Sequence, residues 1–226
     1  MRTTVILSAG LFVATIAAPL AAQGGGMGGM DMTNKINGSG KLPAGWMNRF
    51  DDASAKMTEI DVQQMGKALH FRSGPASIYY DPRDVAKGEY SVSATLSQAK
   101  TNSHESYGLF LGGSNLQDST QNYLYFVIRP SDGNFLISHR SSNGKPKTLV
   151  AMTPDAAINK DAPGTGAASN VVGMHVAKDT VHFFVNGKLV RAIAKSALDG
   201  ALTDGQAGVR VNHNSDITVE NFGIKK

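Results

Sequence analysis

Apolar and polar residues trade places at every second position through much of this chain, and turn residues interrupt the alternation at short intervals. Residues 57–63, 68–71, 76–80 and 89–96 show it, the last with Tyr90, Val92, Ala94 and Leu96 set against Ser91, Ser93 and Thr95. A period of two puts alternate side chains on opposite faces of a pleated strand, a surface that suits β-branched and aromatic residues. Further runs follow at 107–111, 122–129, 134–140, 171–176, 180–185, 188–193, 208–213 and 217–224. Two pairs of runs are predicted hairpins. Pro130, Ser131, Asp132 and Gly133 turn 122–129 back onto 134–140, and Asn186-Gly187 joins 180–185 to 188–193. Asn-Gly is the strongest short-range hairpin signal, because both central residues of a type I′ turn need positive φ. Helical periodicity is scarce: residues 154–159 and 196–202 are each long enough for about one turn, while 144–146 and 161–168 read as surface loops. About a dozen short strands with almost no helix predict an all-β protein, a sandwich or barrel.

The N-terminal end has a different pattern. Arg2, an uncharged apolar stretch over residues 5–18 and the small residues around Ala21 and Ala22 make 1–22 a secretory signal peptide, cleaved between Ala22 and Gln23. The stretch of about 14 apolar residues is short of the roughly 20 that span a bilayer, so no membrane span is expected after cleavage. The expected location is therefore periplasmic or extracellular. Residues 23–44 form a Gly/Met-rich leader, in which ordering would cost too much entropy. Gly24, Gly26 and Gly29 fit the spacing of a dinucleotide fingerprint, yet no strand precedes them and no helix follows. Met27, Met30 and Met32 offer thioethers to copper without a supporting histidine. The folded domain is placed at 45–226, roughly 180 residues and one core.

A net charge of +4 without any basic cluster excludes nucleic acid as a partner. The absence of cysteine rules out disulfides, thiolate metal sites and a lipoprotein anchor.

The order of segments carries a resemblance. The run Tyr107, Gly108, Leu109, Phe110 precedes a strand over 123–128, an Asp132-Gly133 turn and another strand. Then come 171–176, the Val185-Asn186-Gly187-Lys188 hairpin, the run from Gly205 to Val211 and the closing 217–224. This layout is similar to the concanavalin A-like lectin/glucanase superfamily. Within it the chain resembles laminin-G-like domains and the bacterial 3-keto-disaccharide hydrolase domain, with dense agreement only from Thr180 onward. The resemblance implies an antiparallel β-sandwich of jelly-roll type. Those hydrolase domains are tryptophan-rich, whereas this chain has Trp46 alone.

Several groupings could carry chemistry. Glu59, Asp61, Gln63 and Gln64 echo the E-x-D-x-E strand of laminarinase-like hydrolases. Both candidate acid/base positions are amides, which cannot give and reclaim a proton. His70, His104, His139, His175, His182 and His213 are scattered, without zinc spacing. Calcium, which laminin-G-like domains often hold, would find oxygen donors in Asp51 and Asp52, or in Asn212, Asn214 and Asp216. For sugar, strand parity sets Tyr123, Tyr125 and Arg129 on one face with Val127, opposite Leu124, Phe126 and Ile128. The second set is the expected core. The first, joined by His139 and Arg140, is the expected exposed ligand surface, with Tyr79, Tyr80 and Tyr107 as further aromatic candidates. These readings describe an exported module that binds a glycan or a cell-envelope partner without catalysis. The alternatives are a hydrolase of modified (3-keto) disaccharides, as the resemblance implies, or a structural envelope protein.

Overall fold

The computed structural model describes residues 36–99, 105–162 and 167–226. The expected signal peptide at 1–22, Met27, Met30, Met32 and His104 lie outside them. Among the described residues fifteen strands follow one another: β1 Met47–Phe50, β2 Ile60–Met65, β3 Ala68–Ser73, β4 Ser77–Tyr80, β5 Val85–Ala86, β6 Tyr90–Gln98, β7 Tyr107–Ser114, β8 Asn122–Arg129, β9 Asn134–Ser141, β10 Lys147–Pro154, β11 Ala168–Val176, β12 Thr180–Val185, β13 Lys188–Ala194, β14 Gly205–Val211 and β15 Ser215–Lys225. An eight-stranded sheet runs in the order β1-β4-β14-β7-β8-β9-β10, with β5 paired to β14. A seven-stranded sheet runs β13-β12-β11-β6-β15-β3-β2. All pairings are antiparallel, and the two sheets pack into a sandwich.

The inner faces build one core. Leu124, Phe126 and Ile128 of β8 are fully buried against residues such as Phe183 of β12 and Phe135 of β9, as parity predicts. Phe126 sits 5.3 Å from Phe183 and 5.9 Å from Phe135, both edge-on, the arrangement aromatic quadrupoles favour. Strand β6 alternates buried and half-buried over its whole length, with Tyr90, Val92, Ala94 and Leu96 inward.

Differences from the expected elements are local. Met57–Glu59 is a 3-10 turn instead of strand, Lys195–Ala197 is another, and 154–159 forms no helix. Strands β1 and β10 carry no clean alternation; β10 loses register twice against β9. Backbone contacts also begin ahead of residue 45, since Gly38 and Gly40 donate to the carbonyls of Thr58 and Ile60.

The Asn-Gly hairpin has the expected geometry, with φ of 51° at Asn186, 77° at Gly187 and Val185 paired to Lys188. Asn186 also ties the hairpin down. Its Oδ1 accepts from the Val171 amide, and its Nδ2 donates to the Ala157 carbonyl and to Asn170 Oδ1, each at 2.8 Å. A Cβ at Gly187 would meet nothing within 4 Å. Gly187→Ala is therefore expected to cost only the left-handed strain, about 1 kcal/mol. Asn186→Ala, losing three hydrogen bonds as well, should cost more; urea denaturation of the two variants ranks them.

Candidate functional site

The face expected to be exposed is covered. Tyr123 and Tyr125 are 1% and 7% exposed, and they join Ile78, Tyr80, Phe110, Leu116 and Val127 in a second apolar cluster on the outer side of the eight-stranded sheet. Part of the cover is the segment 115–121 between β7 and β8, which folds over this side. Leu116 is buried there. Gln117 Nε2 donates to Tyr80 Oη at 2.9 Å and to the Asn48 carbonyl at 3.0 Å, while Arg49 holds the Gln117 carbonyl at 2.6 Å. The error was to assume that a sheet with one apolar face shows water the other. Strands β7 and β8 are buried on both faces, which gives near-continuous apolar runs.

Of the five proposed ligand residues, three come together. Tyr123 pairs with Arg140 across β8 and β9, and Tyr125 lies beside Tyr123 with ring centroids 5.9 Å apart. Arg129 stands apart at the end of β8, where its Nε donates at 2.9 Å to Asp132 of the following turn. His139 faces the other way, into the inner side, 2% exposed and 4.0 Å from Asp199. Burial holds its pKa below the usual histidine value, against the opposing pull of Asp199.

Two residues complete the cluster. Arg210 of β14, 3% exposed, sends Nη1 and Nη2 to the two carboxylate oxygens of Asp51, each at 2.6 Å. Its Nε donates to Asn212 Oδ1 at 3.1 Å, and its guanidinium carbon lies 5.3 Å over the Tyr125 ring. Arg140 adds Nη2 at 3.6 Å from Asp51 Oδ1 and donates from Nη1 to the Gly144 carbonyl at 3.2 Å. Bidentate guanidinium–carboxylate pairing is among the strongest polar contacts, because both bonds are charge-assisted and parallel. Burial pushes the Asp51 carboxyl up, but the charge and hydrogen bonds of Arg210, with smaller help from Arg140 and His213, more than reverse this. Asp51 ends below the usual carboxylate range. Burial, with smaller help from Asp51 and Tyr125, pushes Tyr123 up to about 12 against the pull of Arg210.

Asp51 is also where this buried cluster meets solvent. Its side chain is 25% exposed and lines a pocket of ≈ 190 Å³ with Asp52, Ser54, Glu59, Pro75 and His213. Asp52 Oδ1 accepts from the Ser54 amide and hydroxyl at 2.8 Å, and Glu59 Oε2 from the Lys56 amide at 2.8 Å. Each of those two carboxylates keeps its second oxygen clear of these bonds. The pocket is thus rich in fixed acceptors, with two guanidinium groups behind its floor. Asp51 and Asp52 stand in the earlier groupings for a reason that holds here, their oxygen acceptors. Arg210 went unnoticed, and its sequence signal is a cation at the centre of the alternating run 208–213.

Four of the five oxygen donors considered for calcium have the following partners. Asp51 pairs with Arg210, Asp52 caps its turn, and Asn212 accepts from Arg210. Asp216 accepts from His70 Nε2 at 2.7 Å with Arg72 at 3.9 Å. Among the described residues no three His, Cys, Asp or Glu side chains converge on a point that could hold a metal ion. Asp61 and Gln63 lie on β2, the edge of the seven-stranded sheet, where Gln63 Nε2 donates to Asp61 Oδ2 at 2.7 Å. Glu59 is off that strand.

The architecture is a two-sheet antiparallel β-sandwich. No protein-family profile matches the sequence, and no curated protein sequence does. Solved structures match the fold at low identity. The carbohydrate-binding module CBM66 from Bacillus subtilis aligns over 80% of this chain and 96% of its own, at 10% identity and a TM-score of 0.59. A Bacillus subtilis protein of unknown function with a galectin-like fold aligns over 80% of this chain and 88% of its own, at 16% identity and 0.57. A glycosidic hydrolase aligns over 83% and 92%, at 10% identity and 0.53. Among the described residues no helix is long and apolar enough to cross a membrane.

Proposed function

We propose that this chain is an exported carbohydrate-binding module whose ligand sits in the pocket at Asp51. The observation that carries the reading is the state of that carboxylate: fixed from behind by two parallel bonds from Arg210, ionised, and open to solvent on one side. Sugar hydroxyls are donors. A pocket that presents Asp51, Asp52, Glu59 and the Ser54 hydroxyl without further rearrangement can accept from several of them at little ordering cost. The same state argues against hydrolysis at this carboxylate. A general acid must hold a proton near working pH, and Asp51 is pushed the other way. The fold shared with a carbohydrate-binding module supports the reading at the level of architecture.

Asp52→Asn and Glu59→Gln test it, since Asp52 is exposed, Glu59 half-buried, and neither pairs with Arg210 or Arg140. Each replaces a charge-assisted bond, so affinity for a glycan selected on an array should fall about tenfold, with the melting temperature kept. Absence of glycan binding by the mature protein, or affinity unmoved by both substitutions, would overturn the proposal. Release of 3-keto-glucose from a 3-keto-disaccharide would replace it with the hydrolase reading.

A further inference from the structure

A second pocket, ≈ 280 Å³, opens where the β2–β3 hairpin, β15 and the residue before β1 meet, lined by Trp46, Gln64, Lys67, Leu69, Asn221 and Phe222. We propose that it binds one uronic-acid ring of an acidic glycan, stacked on Trp46 with its carboxylate at Lys67. This reading shares a ligand class with the pocket at Asp51 and none of its residues.

The floor is rigid and apolar. The Trp46 amide donates to the Pro43 carbonyl at 3.0 Å, closing a turn ahead of β1, and the half-buried indole packs 6.4 Å from Phe71 of the core. Phe222 packs on the same core, as do the buried Leu69 and Val219 below it. Such a surface suits the C–H face of a pyranose, while the exposed amides of Gln64 and Asn221 supply donors and acceptors for its hydroxyls.

The polar groups are placed by backbone features that cost stability. Strand β15 slips register against β6 between Glu220 and Gly223, and Asn221 within that bulge has φ of 53°. A bulge of this kind re-aims side chains, and a non-glycine residue in the left-handed region carries about 1 kcal/mol of strain or more. Nothing else engages the Asn221 amide among the described residues, so no hydrogen bond of its own explains the strain. Lys67 follows Gly66, whose φ of 63° fits the first central position of a two-residue type II′ turn between Met65 and Ala68. Lys67 is the charged residue of the lining and makes no ion pair among the described residues. An exposed ammonium beside a stacking ring selects an anion-bearing sugar by charge-assisted hydrogen bonding. The volume, ≈ 280 Å³, lies just below the range of drug-sized ligand pockets, about 300–1,000 Å³, which fits a single ring.

Trp46 is the chain's only tryptophan, so its emission reports this pocket alone. Titrating the mature protein with an oligogalacturonide should shift or quench that emission saturably. A neutral cello-oligosaccharide should do so at least about tenfold more weakly. Lys67→Gln should weaken the uronate response about tenfold and remove most of its salt dependence. Asn221→Gly, which relieves the backbone and so keeps the fold, should weaken it as well. The Asp52→Asn/Glu59→Gln background should leave the response unchanged, which separates failure here from failure of the first pocket. An unperturbed emission overturns the proposal, as do equal responses to neutral and acidic sugar or a response that survives both Lys67→Gln and Asn221→Gly.

Discussion

Asp51→Ala should lower stability by about 3–5 kcal/mol, because it leaves Arg210 buried and without its counter-ion. Arg210 is 3% exposed, so water cannot replace the two 2.6 Å bonds it loses. Arg140 loses its nearest carboxylate in the same step. For a domain of this size the melting temperature should fall on the order of 10 °C. The companion Asp51→Leu/Arg210→Leu is expected to lose much less than the single variant, since removing both partners strands no charge. A double variant as unstable as Asp51→Ala would show that packing, and not the stranded guanidinium, sets the loss. Acid provides a second check. The folded-state pKa of Asp51 lies below its ordinary 3.8, so the pair contributes fully above that pH and fades as pH falls through the lower folded value. Below pH 4 the wild type should therefore lose stability more steeply than Asp51→Ala.

Gly112→Ala is the second large loss, at about 3 kcal/mol or more. Gly112 has φ of 67° in β7, and a Cβ there would lie 1.8 Å from the Leu202 carbonyl oxygen. That carbonyl belongs to the segment 198–203, which docks through the Leu202 amide on Asn122 Oδ1 at 3.2 Å and through the fully buried Leu198. The segment must lift before alanine fits, and Leu198 moves with it. Gly88→Ala isolates the backbone share of the cost: φ is 76°, but nothing stands within 4 Å of the new methyl. Gly88→Ala should cost about 1 kcal/mol. Equal losses at the two sites in urea denaturation would refute the steric account.

Strands with one buried face were legible because their alternation is local. Strand β6 and the β12–β13 hairpin show their pattern and turn chemistry within a dozen residues. Strands β1 and β10 were not, being edge strands with little apolar demand and, in β10, broken register. The tyrosine face was misread for the opposite reason. Parity correctly divided Leu124, Phe126 and Ile128 from Tyr123 and Tyr125, but whether the second face meets water depends on what folds over it, here in part the segment 115–121. Pairings between remote residues left no local trace: Asp51 and Arg210 are 159 positions apart. Trp46 was visible as a lone tryptophan, while the bulge at Asn221 lies inside the run 217–224 and the turn at Lys67 between two runs, and neither showed that it faces Trp46.

The ends of the two sheets bear on how this protein behaves when crowded. Among the described residues the strands that end the two sheets, β1, β10, β13 and β2, each leave one side unpaired, and an unpaired strand is a template for joining copies into fibres. Each is a poor template. Strand β1 has four residues; β10 slips twice and ends on Pro154. Strand β13 carries Lys188 and Arg191 and shifts against its neighbour, and β2 turns Asp61, Gln63 and Gln64 toward solvent or half toward it. A sandwich without cysteines has no disulfides to lock its sheets against opening. These blunted margins disfavour edge-to-edge joining of copies.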